Sequence, residues 1–242
     1  ETGYLDAMAE MAEEYPDVIF LHCSGYLKND TNFGNYFGKM YQPRYLSGLA
    51  AGAMTESNKI GYVAAFPIPE VIRGINAFAT GVKEVNPDAT VEVVWTFTWF
   101  GPEAETQAAN ALLETGVDVL AQHQDSPSTG IAAEAAGAKW ISYNTAYGQD
   151  AAPGAFVTAP VWDWGPYYVQ VVESIVNDEF VAEAYWGGME TGLVSLYELS
   201  SDVPADTATL ISERTEEIIS GSFDPPIVED EFIDNVIGTV NP

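Results

Sequence analysis

Apolar residues recur along this chain in two alternating rhythms. Short, continuously apolar runs, such as Val18-Ile-Phe-Leu-His-Cys and Ile60-Gly-Tyr-Val-Ala-Ala-Phe, predict strands over 18–23, 60–66, 90–98, 117–122, 140–143, 156–161 and 193–199. Runs apolar on both faces belong to parallel sheets covered by helices. Between them, apolar residues spaced by three and four predict helices over 5–14, 44–54, 69–85, 102–114, 129–136, 166–176 and 205–220. Pro16 closes the first helix, Pro69 opens the third and Gly137 ends the fifth. The second carries Ser47, Gly48, Ala50, Ala51 and Gly52, small residues suited to close packing. A loop rich in Gly, Asn and aromatics is expected over 25–41, and a loose acidic tail after 220. Strands alternating with helices imply right-handed βαβ units, with changes of sheet near 55–58 and 161–166.

Composition narrows the function classes. Thirty-six Asp and Glu against eight Lys and Arg leave a formal net charge of −28. Such a surface repels nucleic acid and anionic lipid, which excludes both as partners. The acids are spread over predicted helices (Glu10, Glu13, Glu14; Glu103, Glu105, Glu114; Glu213, Glu216, Glu217) whose other faces are apolar, unlike a disordered acidic tail. A folded chain nearly stripped of lysine is read as adapted to concentrated salt, the alternative being an ordinary acidic bacterial protein. The one cysteine, Cys23, allows no intrachain disulfide and reads as a small buried hydrophobe. The two histidines, His22 and His123, have no Cys or His neighbours with which to hold a metal. No run of 18 apolar residues is present.

Candidate chemistry gathers where strands end. In an open α/β sheet, ligands bind at the carboxyl ends of the strands. Phe66 closes one strand ahead of Pro-Ile-Pro-Glu70; its ring either stacks on a planar ligand or caps the core. Glu70 lies in a first helical turn, where the dipole alone favours a carboxylate. Trp95, Phe97 and Trp99 share a strand face; Trp99 and Phe100 are nearest its carboxyl end, and Trp95 is assigned to the core. Asp125, within Gln122-His-Gln-Asp-Ser-Pro, is either an acceptor for a ligand amine or an N-cap. Asn144 offers a donor and an acceptor, or serves a turn. Trp162-Asp-Trp164-Gly-Pro-Tyr-Tyr supplies Trp162 as a second stacking face and Trp164 as either ligand contact or hinge packing. Nucleophile elbow, dinucleotide fingerprint and phosphate loop are all absent, so catalysis is not expected and no cofactor is implied.

Over 59–76, 95–100, 122–127 and 161–168 the sequence resembles the basic-membrane-protein (Bmp, purine-nucleoside-receptor-like) family of ABC importer lipoproteins. The resemblance extends from about 3 to 226. It implies a two-lobed type I periplasmic-binding-protein fold, with parallel sheets flanked by helices, three crossovers, and ligand trapped as the lobes close. The expected division is 1–56 with 163–185 for the first lobe and 57–162 with 186–242 for the second. Family members begin with further strands and helices, so the first lobe is expected to lack its initial strands here. Nucleoside-binding members use an acid and a lysine on the ribose; the matching positions here are Tyr143-Asn144-Thr145 and Trp162. That departure favours a bare purine base over a nucleoside. The resemblance implies a monomeric, extracytoplasmic, lipid-anchored protein serving an ABC permease, the anchor lying outside this chain. The alternative is a ligand-sensing receptor or regulator module of the same fold.

The charge imbalance generates the first prediction. The midpoint of thermal unfolding should climb steadily from dilute buffer to molar KCl; a two-state transition at high temperature in dilute buffer would contradict the reading.

Overall fold

The computed structural model describes residues 2–144 and 146–238. Its elements are, in chain order, α1 (Leu5–Glu14), β1 (Phe20–Cys23), β2 (Phe33–Gly38), α2 (Tyr41–Met54), β3 (Lys59–Ala64), α3 (Pro69–Val85), β4 (Thr90–Trp95), α4 (Pro102–Glu114), β5 (Val119–Gln122), α5 (Ser128–Ala136), β6 (Lys139–Ile141), α6 (Gly148–Ala151), β7 (Phe156–Thr158), β8 (Pro160–Trp162), α7 (Gly165–Val176), β9 (Ala184–Gly187), β10 (Val194–Leu196), α8 (Ala205–Ser220) and β11 (Val236–Ile237). They form two compact units, Glu1–Lys39 with Asp163–Val194, and Met40–Trp162 with Ser195–Pro242. The chain passes from one to the other three times.

The larger unit is built on a six-stranded parallel sheet in the order β11-β4-β3-β5-β6-β7. β3 is central. The chain leaves it towards β4 and later returns on its other side as β5, so β3 and β5 flank the point where the strand order reverses. The register places Ala64 beside Trp95, and Val63 beside both Val94 and Gln122, so the loops leaving β3, β4 and β5 emerge side by side. Side chains from β3 and β5 to β7 bury themselves under α4 and α5 with Val63, Leu112, Leu120, Trp140 and Phe156 at the centre. On the other face α2 lies against α3 almost backbone to backbone. A Cβ on Gly48 would stand 2.0 Å from the Phe78 carbonyl oxygen, and one on Gly81 would stand 2.1 Å from that of Tyr45. Only glycine permits this approach, and α2 is consequently buried along its length from Tyr41 to Gly52.

The smaller unit carries a three-stranded parallel sheet, β1-β2-β9. Leu5 and Ala12 of α1 pack with Phe33. Tyr36 stacks on Tyr167 with ring centroids 4.9 Å apart, and its hydroxyl lies 3.0 Å from that of Tyr168.

Several expectations change. The boundary expected at 56 falls at Lys39, because α2 packs on α3 within the larger unit, and residues 186–194 belong to the smaller unit rather than the larger. The expected loop over 25–41 contains β2, which pairs β1 on one side and β9 on the other. The strand expected over 156–161 divides into β7, at the edge of the six-stranded sheet, and β8, which pairs β10. The tail is not loose. Tyr41 and Gln42 both donate to the Asp224 carboxylate, Asn76 Nδ2 donates to the Val228 and Glu231 carbonyls, and β11 completes the sheet beside β4. Cys23 is half-buried rather than buried.

The close helix contact predicts the effect of one added carbon. Gly48→Ala should cost about 3 kcal/mol in urea unfolding, the upper range for overpacking. Gly74→Ala, whose Cβ would meet nothing nearer than 3.6 Å, should leave the midpoint unchanged or slightly raised.

Candidate functional site

The loops that leave β3, β4, β5 and β6 set a row of rings across the carboxyl ends of the larger sheet. Thr96 N and Phe97 N donate to the Ala64 and Ala65 carbonyls at 2.8 and 2.9 Å, which binds the loop after β4 to the end of β3. Phe66 then lies 5.3 Å from Trp99 and 6.4 Å from Phe97. Trp99 is 6.1 Å from His123, and His123 is 4.6 Å from Tyr143. Beside this row runs a chain of side-chain hydrogen bonds. Trp162 Nε1 donates to Asn144 Oδ1 at 2.8 Å, and Asn144 Nδ2 donates to Asp125 Oδ1 at 2.5 Å. Phe97 and Asn144 both hold left-handed backbone, with φ of 55° and 66°. Such conformations cost free energy and gather at functional sites.

Six of the expected site residues therefore belong to one unit, with Phe66, Trp99, Asp125, Asn144 and Trp162 at or just beyond strand ends and Glu70 in the helix that follows β3. Glu70, in the first turn of α3, has a carboxylate oxygen 3.9 Å from His123 Nε2, too long for a hydrogen bond. Phe100 stands outside the row, 64% exposed. Trp164 belongs to the smaller unit, where it packs edge-on against Tyr36 at 5.4 Å and stacks on Tyr168 at 6.2 Å. Thr145 lies outside the described residues. The expected strand to 98 stops at Trp95, because the left-handed turn at Phe97 breaks the alternation; Trp95 stacks on Phe232 of the returning C-terminal segment at 6.3 Å.

Three contributors, Arg44, Gln122 and Glu105, were given no role in the sequence reading, and Tyr143 entered it only as a position matching the family's acid. Arg44 is fully buried on α2; its Nη1 donates to the Gln122 carbonyl at 2.8 Å, and its guanidinium lies 3.9 Å over the Tyr143 ring. Ring faces and a carbonyl replace part of the water around this charge, while Nε and Nη2 are buried without a hydrogen-bond partner among the described residues. Tyr143 is itself buried, and burial pushes its hydroxyl pKa upward. Gln122 Nε2 donates to the carbonyls of Gln124 and Ser126, shaping the loop that carries Asp125. Glu105, expected on an exposed helical face, is completely buried. The clue to Arg44 was a lone cation amid the small and apolar residues of 45–52, in a chain with few cations to place. Burial holds His123 neutral, lowering its pKa from 6.5 to about 4, with the Arg44 charge pushing the same way and Glu70 opposing. Among the described residues no group of three or more His, Cys, Asp or Glu is placed to hold a metal ion.

Ring faces flanked by a carboxylate and an amide, at the strand-order reversal of a parallel sheet, define a small-molecule-binding α/β protein. The profile of the Bmp family, described as PnrA-like ABC transporter substrate-binding proteins, matches residues 2–224. The chain belongs to that family, whose members are substrate-binding proteins rather than enzymes. It is 45% identical over 222 residues to a Haloferax volcanii protein provisionally named as the ABC transporter glucose-binding protein TsgA13, and 36% identical over 228 residues to the purine-binding protein BAB2_0673 of Brucella abortus. Each match takes in 92% of this chain but only 56% and 63% of those relatives. Among solved structures, an ABC transporter solute-binding protein from Aeropyrum pernix aligns with a TM-score of 0.79 at 17% identity, covering 94% of this chain and 76% of that one. One from Conexibacter woesei aligns at 0.73 and 23%, covering 92% and 76%. These establish the type I periplasmic-binding fold.

The buried histidine predicts a pH effect. With its folded pKa depressed, the unfolded chain takes up this proton first, so stability from His123 is present above pH 6.5 and is lost as pH falls towards about 4. Glu105, whose pKa burial raises, acts in the opposite sense. Urea midpoints of wild type and His123→Gln should therefore separate the two: wild type should lose ground to the variant across that window, and parallel curves would refute the assignment.

Proposed function

We propose that this chain is the ligand-binding part of an extracytoplasmic, membrane-anchored substrate-binding protein that delivers a purine base, adenine-like, or its nucleoside to an ABC permease. The observation that carries the reading is the chain Trp162–Asn144–Asp125 beside the ring row of Phe66 and Trp99. A planar heterocycle has faces for the rings and N–H groups for the carboxylate. The purine-binding Brucella relative supports it. The Haloferax relative named for glucose makes a hexose the rival. A hexose presents hydroxyls around its whole rim and calls for polar partners on several sides, whereas this row is mostly rings. No helix among the described residues is long and apolar enough to cross a membrane.

Titration calorimetry in molar salt against adenine, guanine, hypoxanthine, adenosine and glucose tests the proposal. A purine base should bind with micromolar or tighter affinity. Asp125→Ala and Trp162→Ala should each weaken binding by about tenfold to a hundredfold, the scale of one ring–base contact. Glucose binding without purine binding would overturn the purine assignment, and adenosine alone would restore the nucleoside.

A further inference from the structure

We propose that Glu105 is a positioning residue of this site, a buried carboxylate that ties the loop bearing Trp99 to the loop bearing Asp125. The inference rests on the ligand site proposed above.

Glu105 projects from the start of α4 and is 0% exposed. Its Oε1 accepts a hydrogen bond from Gly101 N at 2.9 Å, two residues beyond Trp99. Its Oε2 accepts a short hydrogen bond from the hydroxyl of Ser126, the residue after Asp125. Two further bonds lie along the same seam: Asp125 N donates to the Trp99 carbonyl at 2.9 Å, and Gln124 Nε2 donates to Thr96 Oγ1 at 2.8 Å. The loop after β4 and the loop after β5 are thus laced together, with Glu105 as the knot behind them.

The helix dipole favours an acid in this first turn, but burial works against it. A carboxylate removed from water costs free energy that a neutral amide of the same shape avoids. Burial accordingly pushes the Glu105 pKa upward, against the Ser126 and Gly101 hydrogen bonds, and the neighbouring Asp125 charge pushes it further. What the charge adds is strength in the two bonds it accepts, since hydrogen bonds to an ionised group exceed neutral ones. Both bonds hold loops, and both loops carry ligand residues. Asp118 provides the contrast. It accepts from Thr55 Oγ1 and from the Glu56 and Ser57 amides at the amino end of β5, the opposite end of the same sheet.

The test compares wild type, Glu105→Gln, Glu105→Ala and Asp118→Asn in molar salt by melting temperature, purine affinity, and amide hydrogen exchange at Gly101 and Asp125. Glu105→Gln should melt at or above the wild-type temperature yet bind about fivefold to tenfold more weakly, with faster exchange at both amides. Glu105→Ala should be weaker again. Asp118→Asn should melt lower while keeping wild-type affinity. Wild-type affinity and exchange in Glu105→Gln would overturn the proposal, as would an affinity loss in Asp118→Asn equal to that of Glu105→Gln. If wild type binds no purine, the function proposed above falls, and exchange at the two amides still decides the role of Glu105: unchanged protection refutes the tie.

Discussion

The near-contact of α2 and α3, backbone against backbone at Gly48 and Gly81, is the constraint on which the larger unit depends. Arg44 lies one helical turn before Gly48, on the same face of α2. With the axis held this close to α3, its side chain reaches the end of β5, where it meets the Gln122 carbonyl and lies flat on Tyr143. A methyl group at Gly48 would push the helix away and withdraw that guanidinium from the strand ends. Packing and site electrostatics are therefore linked through a position that touches no ligand.

The strand ends themselves are held by polar side chains of the interior as well as by the sheet. Backbone bonds run one or two residues past the named strands, as from Thr96 and Phe97 to Ala64 and Ala65, and Gln122, Gln124 and Glu105 then accept or donate across the loops beyond. This permits the left-handed residues Phe97 and Asn144, whose cost the surrounding bonds offset. Burial, aided by the Arg44 charge and opposed by Glu70, keeps His123 neutral among them. The groups along the row of rings are already oriented, so a ligand bound there as proposed would spend little free energy on ordering them.

The βαβ order and the positions of β3, β5 and β6 were legible because parallel strands are apolar on both faces and break sharply where polar and aromatic residues begin. Glu105 was not. An acid in the first turn of a helix satisfies the dipole whether exposed or buried, and only the Ser126 hydroxyl, 21 residues away, decides between them. β2 was hidden for a similar reason: Phe-Gly-Asn-Tyr-Phe-Gly lacks an apolar run, and it is a strand because β1 and β9 lie on either side of it. The acidic tail hid its fold in charge, since Glu229 and Asp234 find Arg73 and Lys83 only once the sheet is assembled.

By itself, then, the sequence determined the class of fold and the family. Those properties follow from local periodicity and from short motifs, which are written along the chain. Tertiary structure decided which unit owns α2, that Trp164 belongs with Tyr36 and Tyr168 in the smaller unit, and which charges lie buried beneath the site. Each of these turns on contacts between residues distant in sequence, and the free energy of a buried Arg44 or Glu105 has no value until its neighbours are in place.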